Sequence, residues 1–157
     1  MSSSGKSKTA TPKLKKAWVV VIRTEWNAAI VDQLYEGCRK TLESGKIDWQ
    51  DYRVPGAIEI PFAIKKIWDQ SGKKKPDAFI ALGCVIKGDT PHFEYVCQSV
   101  TDGITALNLQ LPVPVIFGVL TVNTEDQARQ RVGGAHGHKG EEAAAAALKM
   151  ISFSRSI

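Results

Sequence analysis

One histidine, His92, lies where the sequence favours the start of a helix after a buried strand. The apolar run Ala78–Leu82 predicts the strand, and 83–89 predicts a loop with two glycines. Thr90 and Pro91 then suit a helix N-terminus, because a threonine hydroxyl caps free N–H groups and proline has no N–H to lose. The positive end of such a helix favours a neutral imidazole and attracts anions. This segment therefore predicts acid–base chemistry beside an anion site. The same pattern also fits a surface or capping histidine without a catalytic role.

A second basic region surrounds the glycine-rich stretch 133–140, which Arg131 and Lys139 flank. It is either an ordinary solvated loop or an anion pocket, in which glycines allow close backbone approach and arginine binds phosphate with two hydrogen bonds. The glycine spacing fits neither a Walker loop nor a dinucleotide-binding fingerprint. His136 and His138 lie in the stretch, but two histidines without partner ligands are weak evidence for metal.

Two aromatic residues and one carboxylate lie near predicted strand ends. Trp26 and Phe117 are core residues by default, although aromatics at the carboxyl edge of a sheet can stack on a planar ligand. Glu59 lies between two isoleucines after Val54-Pro55-Gly56, so its carboxylate either faces solvent or binds a ligand.

Alternating strands and helices must position these residues. Continuous apolar runs rich in β-branched residues predict strands, and apolar residues that recur every four positions predict helices. Proline at position 61 fits a helix only in its first turn, so the second helix is expected to begin near Ile60. The predicted elements are strands at 17–22, 48–54, 78–82 and 114–120, and helices at about 30–45, 60–68, 90–106, 124–132 and 141–151. This order predicts one α/β domain with a doubly wound parallel sheet.

Composition narrows the class of partner. The 157 residues carry a net charge of +5, and five lysines lie in the first sixteen residues, which contain no acid. We expect residues 1–16 to be a disordered basic tail and 17–157 to be the folded domain. The charges balance outside the tail, so no basic patch and no nucleic-acid partner are expected. No apolar run spans a membrane, and Cys38, Cys84 and Cys97 lack metal spacing, which favours a reducing cytoplasm.

Four separated segments resemble the 6,7-dimethyl-8-ribityllumazine synthase family, in the order and spacing of that family. They are Trp26–Asn27, Val54–Pro61, Leu82–Val96, and Pro114–Gly118 continuing through Arg131 to Gly140. The resemblance covers about Ala17 to Ile151. It implies a single-domain flavodoxin-like α/β fold, a three-layer sandwich around a four-stranded parallel sheet.

The resemblance also implies an activity in riboflavin biosynthesis. The family condenses 5-amino-6-(D-ribitylamino)uracil with 3,4-dihydroxy-2-butanone 4-phosphate and releases phosphate and water, with no metal or organic cofactor. His92 matches the proposed proton donor. The implied substrate-binding positions are Trp26, Ala57, Ile58, Glu59, Cys84, Val85, Ile86, Asp89, Thr90, Phe117, Arg131 and Lys139.

Individual roles follow from the same resemblance. Trp26 would stack on the pyrimidine, and Glu59 would hold ribityl hydroxyls. Asp89 and Thr90 would offer N–H groups to the phosphate, which Arg131 would bind. Phe117 would close the pyrimidine pocket of a neighbouring subunit.

Three positions depart from the family pattern without removing a named catalytic group. Ile58 replaces an aromatic of some relatives, Pro91 replaces a hydroxyl residue, and His138 stands where many relatives have asparagine.

The family forms pentamers, and some members assemble twelve pentamers into a capsid. Members that stop at the pentamer tend to have extra residues before the last helix, and the stretch from Arg131 to Lys139 has no such insertion. We therefore expect a homopentamer that forms a capsid of roughly sixty subunits. The alternatives are an archaeal-type riboflavin synthase, a non-catalytic flavin- or phosphate-binding module, or a shell protein of the same fold.

Overall fold

The computed structural model describes residues 10–157 as alternating strands and helices around one sheet. The strands are β1 (Trp18–Thr24), β2 (Asp48–Val54), β3 (Ala78–Ile86), β4 (Val115–Val122), β5 (Val132–Gly134) and β6 (Gly137–His138). The helices are α1 (Ala28–Ser44), α2 (Ile60–Gln70), α3 (His92–Gln110), α4 (Glu125–Arg129) and α5 (Lys139–Ser156), and a 3₁₀ turn at Ala57–Glu59 precedes α2. The predicted α/β architecture is confirmed.

The main sheet has four strands in the order β2-β1-β3-β4, and all three pairings are parallel. The central strand β1 is buried over most of its length, and the first seven residues of β3 are buried without interruption. Such continuous apolar runs arise because helices cover both faces of a parallel sheet. In contrast, β2 alternates exposed and half-buried residues, as suits an edge strand.

Helices form a layer on each side of the sheet. Alternate residues of β1 point to opposite faces, so Val19 and Val21 join the core beneath α1 and α5, whereas Val20 and Ile22 join the core beneath α2 and α3. The apolar face of α1, which includes Leu34, is fully buried in the first of these cores. The result is the predicted three-layer sandwich with a four-stranded parallel core.

Several predicted boundaries were wrong. β3 does not end at Leu82: Gly83 pairs with Val119, and the ladder continues to the pair Ile86–Val122. The glycine was interpreted as the start of a loop, yet a buried strand accepts it because its partner on β4 supplies the backbone pairing. The glycine-rich stretch before the last helix is likewise not an open loop, because β5 and β6 form a short antiparallel hairpin in it and α5 begins at Lys139.

The start of α5 is held against α1 by a close approach. A Cβ atom added to Gly37 on α1 would lie 2.1 Å from Cε1 of His138, so the imidazole ring packs directly on the glycine. His138 is also the N-cap of α5, where its Nδ1 accepts a hydrogen bond from the backbone N–H of Glu141 at 3.4 Å. A shorter capping side chain at position 138 would keep the cap and remove the contact with Gly37.

We predict that Gly37→Ala destabilises the fold by about 1–3 kcal/mol through overpacking against the imidazole. The stability lost through overpacking should exceed the stability of about 1 kcal/mol that replacing glycine with alanine adds inside a helix. Adding His138→Asn should restore stability to within about 1 kcal/mol of the parent, because asparagine caps the helix and vacates the space. Denaturant unfolding of both single variants and the double variant gives the coupling. A Gly37→Ala variant that is more stable than the parent would contradict the contact.

Candidate active site

A cavity of about 390 Å³ opens at the carboxyl edge of the sheet, where β1 and β3 end and α3 begins. Ligands bind at this edge in open parallel sheets, and the volume lies within the usual range for small-molecule pockets. The lining residues are Thr24, Trp26, Asn27, Gly56, Ala57, Ile58, Glu59, Cys84, Val85, Ile86, Gly88, Thr90, His92, Phe93 and Val96.

The loop after β1 places an aromatic ring at the mouth of the cavity. The backbone N–H of Trp26 donates to the carbonyl of Pro55 at 3.1 Å, while the residue itself is 74% exposed. Asn27 adopts a left-handed conformation with φ 56°, and its side-chain N–H donates to the carbonyl of Cys84 at 2.8 Å. The default interpretation of Trp26 as a core residue was therefore wrong, and its ring is available for stacking.

The turn before α2 presents a carboxylate at the rim. Ala57 is buried, whereas Ile58 is 46% exposed and lies beside the cavity. Oε2 of Glu59 accepts a hydrogen bond from the backbone N–H of Gly56 at 2.9 Å, which fixes the carboxylate at the start of the helix. Glu59 thus keeps an exposed acceptor group beside the cavity, where hydroxyl donors can reach it.

The end of β3 contributes a buried thiol and two half-buried aliphatic side chains, Val85 and Ile86. Burial, followed by the negative charge of Glu125, raises the pKa of Cys84 to about 11. A thiol with such a pKa stays protonated at neutral pH and is a poor nucleophile. Cys84 therefore acts as a wall of the cavity.

The first turn of α3 carries His92 into the cavity lining. The side chain is exposed, and its backbone N–H points to the hydroxyl of Thr90 at 3.4 Å. Gly88 has open space around it, so the loop offers backbone groups to a ligand without steric obstruction. An ion pair between Lys87 and Glu94 at 3.8 Å bridges the loop to the helix. The arrangement places the N-terminus of a long helix beside one acid–base side chain.

Four residues predicted for the site do not line this cavity: Asp89, Phe117, Arg131 and Lys139. Asp89 is exposed beside it, and Phe117 is half-buried against the core on the α2–α3 side. The guanidinium of Arg131 donates to the carbonyl of Gln127 at 2.8 Å, and the ammonium of Lys139 pairs with Glu142 at 2.8 Å.

Six lining residues were not predicted as site residues: Thr24, Asn27, Gly56, Gly88, Phe93 and Val96. Most lie next to a residue that was predicted, at the end of a strand or in the first turns of α3. Their position at the carboxyl edge was the signal that could have identified them.

Within residues 10–157, no three His, Cys, Asp or Glu side chains gather closely enough to bind a metal ion. The helices of this part of the chain are all too short or too polar to cross a bilayer.

Comparisons with known proteins identify one family. The family model described as 6,7-dimethyl-8-ribityllumazine synthase matches residues 16–155. Proteins named 6,7-dimethyl-8-ribityllumazine synthase are similar along most of the chain. The one from Parabacteroides distasonis is 44% identical over 148 residues, covering 92% of this chain and 91% of the relative. The one from Cytophaga hutchinsonii is 41% identical over 159 residues, covering 97% and 98%. A third, from Porphyromonas gingivalis, is 48% identical over 134 residues, covering 83% and 81%.

We predict that iodoacetamide modifies Cys84 slowly at pH 8, because a pKa of about 11 leaves roughly one thiol in a thousand ionised. The rate should rise about tenfold per pH unit until the pH reaches the pKa. Mass spectrometry of the digested protein measures the rate of modification at Cys84, and half-buried Cys97 serves as the internal comparison. Labelling of Cys84 at pH 8 at the rate of a free thiol would contradict the assignment of an inert wall.

Proposed function

The chain belongs to the 6,7-dimethyl-8-ribityllumazine synthase family, and we propose that its cavity is where the family reaction takes place. The reaction condenses 5-amino-6-(D-ribitylamino)uracil with 3,4-dihydroxy-2-butanone 4-phosphate. The observation that carries the proposal is the convergence of Trp26, Glu59 and His92 in one cavity. They come from three separate places in the fold: the loop after β1, the 3₁₀ turn before α2 and the first turn of α3. The related riboflavin synthase activity is not favoured, because the named relatives are lumazine synthases.

The substrates divide the cavity between them. Trp26 stacks on the pyrimidine, and the apolar wall of Ala57, Ile58, Cys84, Val85 and Ile86 surrounds the ring and the start of the ribityl chain. Glu59 accepts hydrogen bonds from ribityl hydroxyls at the rim. The exposed turn just before α3, at Asp89 and Thr90, offers N–H groups to the phosphate, and the helix itself offers the positive end of its dipole. Ile58 supplies less stacking surface than an aromatic residue would.

The chemistry is a sequence of proton transfers. The substrate amine attacks the ketone and loses water to give an imine, elimination then expels phosphate, and ring closure releases a second water. Positioning both substrates side by side supplies much of the acceleration. His92 lies within the cavity lining and carries protons between the reacting groups and the departing phosphate.

Phe117, Arg131 and Lys139 complete the site of an adjacent copy in a homopentamer. Their position outside the cavity of their own chain supports this part of the proposal. β4, which carries Phe117, is an edge strand of the main sheet and therefore presents an edge without a strand partner in its own sheet, where a neighbour can approach. Arg131 would bind the phosphate through its planar fork, and Lys139 would contact substrate. The three free cysteines fit an enzyme of the reducing cytoplasm.

We predict that His92→Ala lowers kcat by roughly ten- to a thousand-fold and changes substrate binding much less, because acid–base catalysis is lost while positioning remains. Steady-state formation of the fluorescent lumazine measures both parameters. His136→Ala is the matched control, since His136 is exposed in the hairpin and does not line the cavity. A kcat unchanged by His92→Ala would remove His92 from the mechanism.

We predict that Arg131→Lys raises KM for the butanone phosphate about tenfold or more, because an ammonium group cannot reproduce the bidentate fork. KM for the pyrimidine should change far less. Since Arg131 also bonds to Gln127, thermal unfolding of the variant separates a structural loss from a binding loss. Arg129→Lys serves as the control on the exposed end of α4. If both kinetic constants keep their parent values, the phosphate binds elsewhere.

We predict an assembly of roughly sixty chains built from pentamers, because the Arg131–Lys139 stretch has no insertion to obstruct contact between pentamers. The hairpin formed by β5 and β6 supports this assembly because it keeps the Arg131–Lys139 stretch compact. Within it, the N–H of Lys139 donates to the carbonyl of Arg131 at 2.8 Å. Sedimentation velocity at neutral pH decides the state. A single species near five chains in concentrated phosphate buffer would overturn the capsid and leave the enzyme intact.

A further inference from the structure

Basic side chains gather at the amino edge of the sheet, where the strands begin, on the side opposite the cavity. The chain preceding β1, the loop between α2 and β3, and the end of α5 meet here. The guanidinium of Arg155 donates to the carbonyl of Lys15 at 2.7 Å, and the indole N–H of Trp18 donates to the carbonyl of Lys75 at 2.9 Å. We call this region the amino-edge basic surface; it comprises Lys13, Lys15, Lys16, Lys73, Lys74, Lys75 and Arg155.

The positive charges of this surface are poorly compensated. Of the two carboxylates at this edge, Asp77 already accepts a hydrogen bond from the backbone N–H of Trp18 at 2.9 Å and pairs with Arg155 at 3.2 Å. The other, Asp48, is exposed at the start of β2, and its backbone N–H donates to the carbonyl of Ala17. Two lysines contact aromatic rings: the ammonium of half-buried Lys75 lies 4.7 Å from the ring of Trp68, and that of exposed Lys74 lies 5.7 Å from the ring of Trp18. Apart from Lys75, the lysines of this surface are exposed, and in the part of the chain that the structure describes none of them forms an ion pair.

The balanced charge count of the domain therefore hides an uneven distribution. Counted along the sequence, acidic and basic residues cancel outside the first sixteen positions, which predicts no basic patch. Folding concentrates positive charge, because the loop between α2 and β3 brings three lysines, and the end of α5 brings Arg155, to the edge where the lysines of the chain before β1 lie. Repulsion among the clustered charges is relieved when a polyanion binds.

We propose that the amino-edge basic surface binds the phosphate backbone of nucleic acid without sequence preference. Lysine is depleted from the cores of protein–protein interfaces, which instead favour arginine and aromatic residues. Here lysines predominate, and the one arginine is engaged within the fold. Mobile ammonium groups suit phosphates, which accept charge from any direction. Because the surface consists of loops and chain ends, it has no element to insert into a groove and read base edges.

The proposed surface is independent of the proposed catalytic role of the cavity. The cavity lies at the carboxyl ends of β1 and β3, whereas Lys15 precedes the start of β1 and Lys73 precedes the start of β3. Nucleic acid bound at the amino edge leaves the cavity open. Activity and nucleic-acid binding can therefore be measured and lost separately.

The test is a titration of the full-length protein at several salt concentrations, monitored by fluorescence anisotropy. Two labelled probes are used, a single-stranded oligouridine and a mixed-sequence DNA duplex. Binding should strengthen as salt falls, with a linear dependence of log K on log salt. Lys73→Gln/Lys74→Gln should weaken binding to both probes and lower the slope by about 2, roughly one per lysine removed. Removal of residues 1–13, which include Lys6, Lys8 and Lys13, should lower the slope of log K against log salt further.

The matched control removes two positive charges from the opposite edge, by Arg53→Gln/Lys87→Gln, and should change the slope little. A thermal unfolding midpoint equal to that of the parent shows that the Lys73→Gln/Lys74→Gln variant is folded, whether or not the chain forms lumazine. Three results overturn the proposal: no binding of the parent at low salt, an equal loss of slope in the control pair, or displacement of the probes by polyglutamate as effective as by unlabelled oligonucleotide. The last result would assign the surface to an acidic polypeptide.

Discussion

Parallel pairing between the buried strands β1 and β3 sets the geometry on which the rest of the molecule depends. The register joins Val19 to Ala78 and Arg23 to Leu82, so both strands deliver their following loops to the same edge of the sheet. The hydrogen bond from Asn27 to the carbonyl of Cys84 then ties the first of these loops to the end of β3. Slipping this register by one residue would turn each apolar side chain of a strand to the opposite face. The cavity is thus a consequence of core packing as well as of the residues that line it.

Local chemistry made much of this fold predictable. Proline at position 61 placed the start of α2 correctly, and β2 runs from Asp48 to Val54 as predicted. The errors came from glycines, because tertiary pairing decides whether a glycine ends an element. Gly83 lies inside β3, and the hairpin formed by β5 and β6 occupies a stretch that was interpreted as a loop. No local pattern indicates such pairings.

The candidate site was predictable to the extent that one chain contains it. Strand ends and a helix start pointed to His92, Glu59 and Trp26, and these residues lie together. Phe117 and Arg131 were also candidates from the sequence, as an aromatic at a strand end and an arginine beside a glycine-rich stretch, yet they do not line the cavity. Their assignment to the site of a neighbouring subunit came from family resemblance alone. The exposure of Trp26 was also hard to predict, because a tryptophan beside a strand is usually buried. Here backbone hydrogen bonds hold the loop at the carboxyl edge of the sheet, and the tryptophan is exposed.

The exposure of Trp26 has a spectroscopic consequence. The other three tryptophans, Trp18, Trp49 and Trp68, are half-buried, and indole groups of Trp49 and Trp18 are held by hydrogen bonds within the fold. An indole in water emits at longer wavelength than one in an apolar surrounding, so the red edge of the intrinsic fluorescence belongs mainly to Trp26. A heterocycle stacked on that ring would quench this component selectively. The protein thus carries its own optical reporter of cavity occupancy, without an added dye.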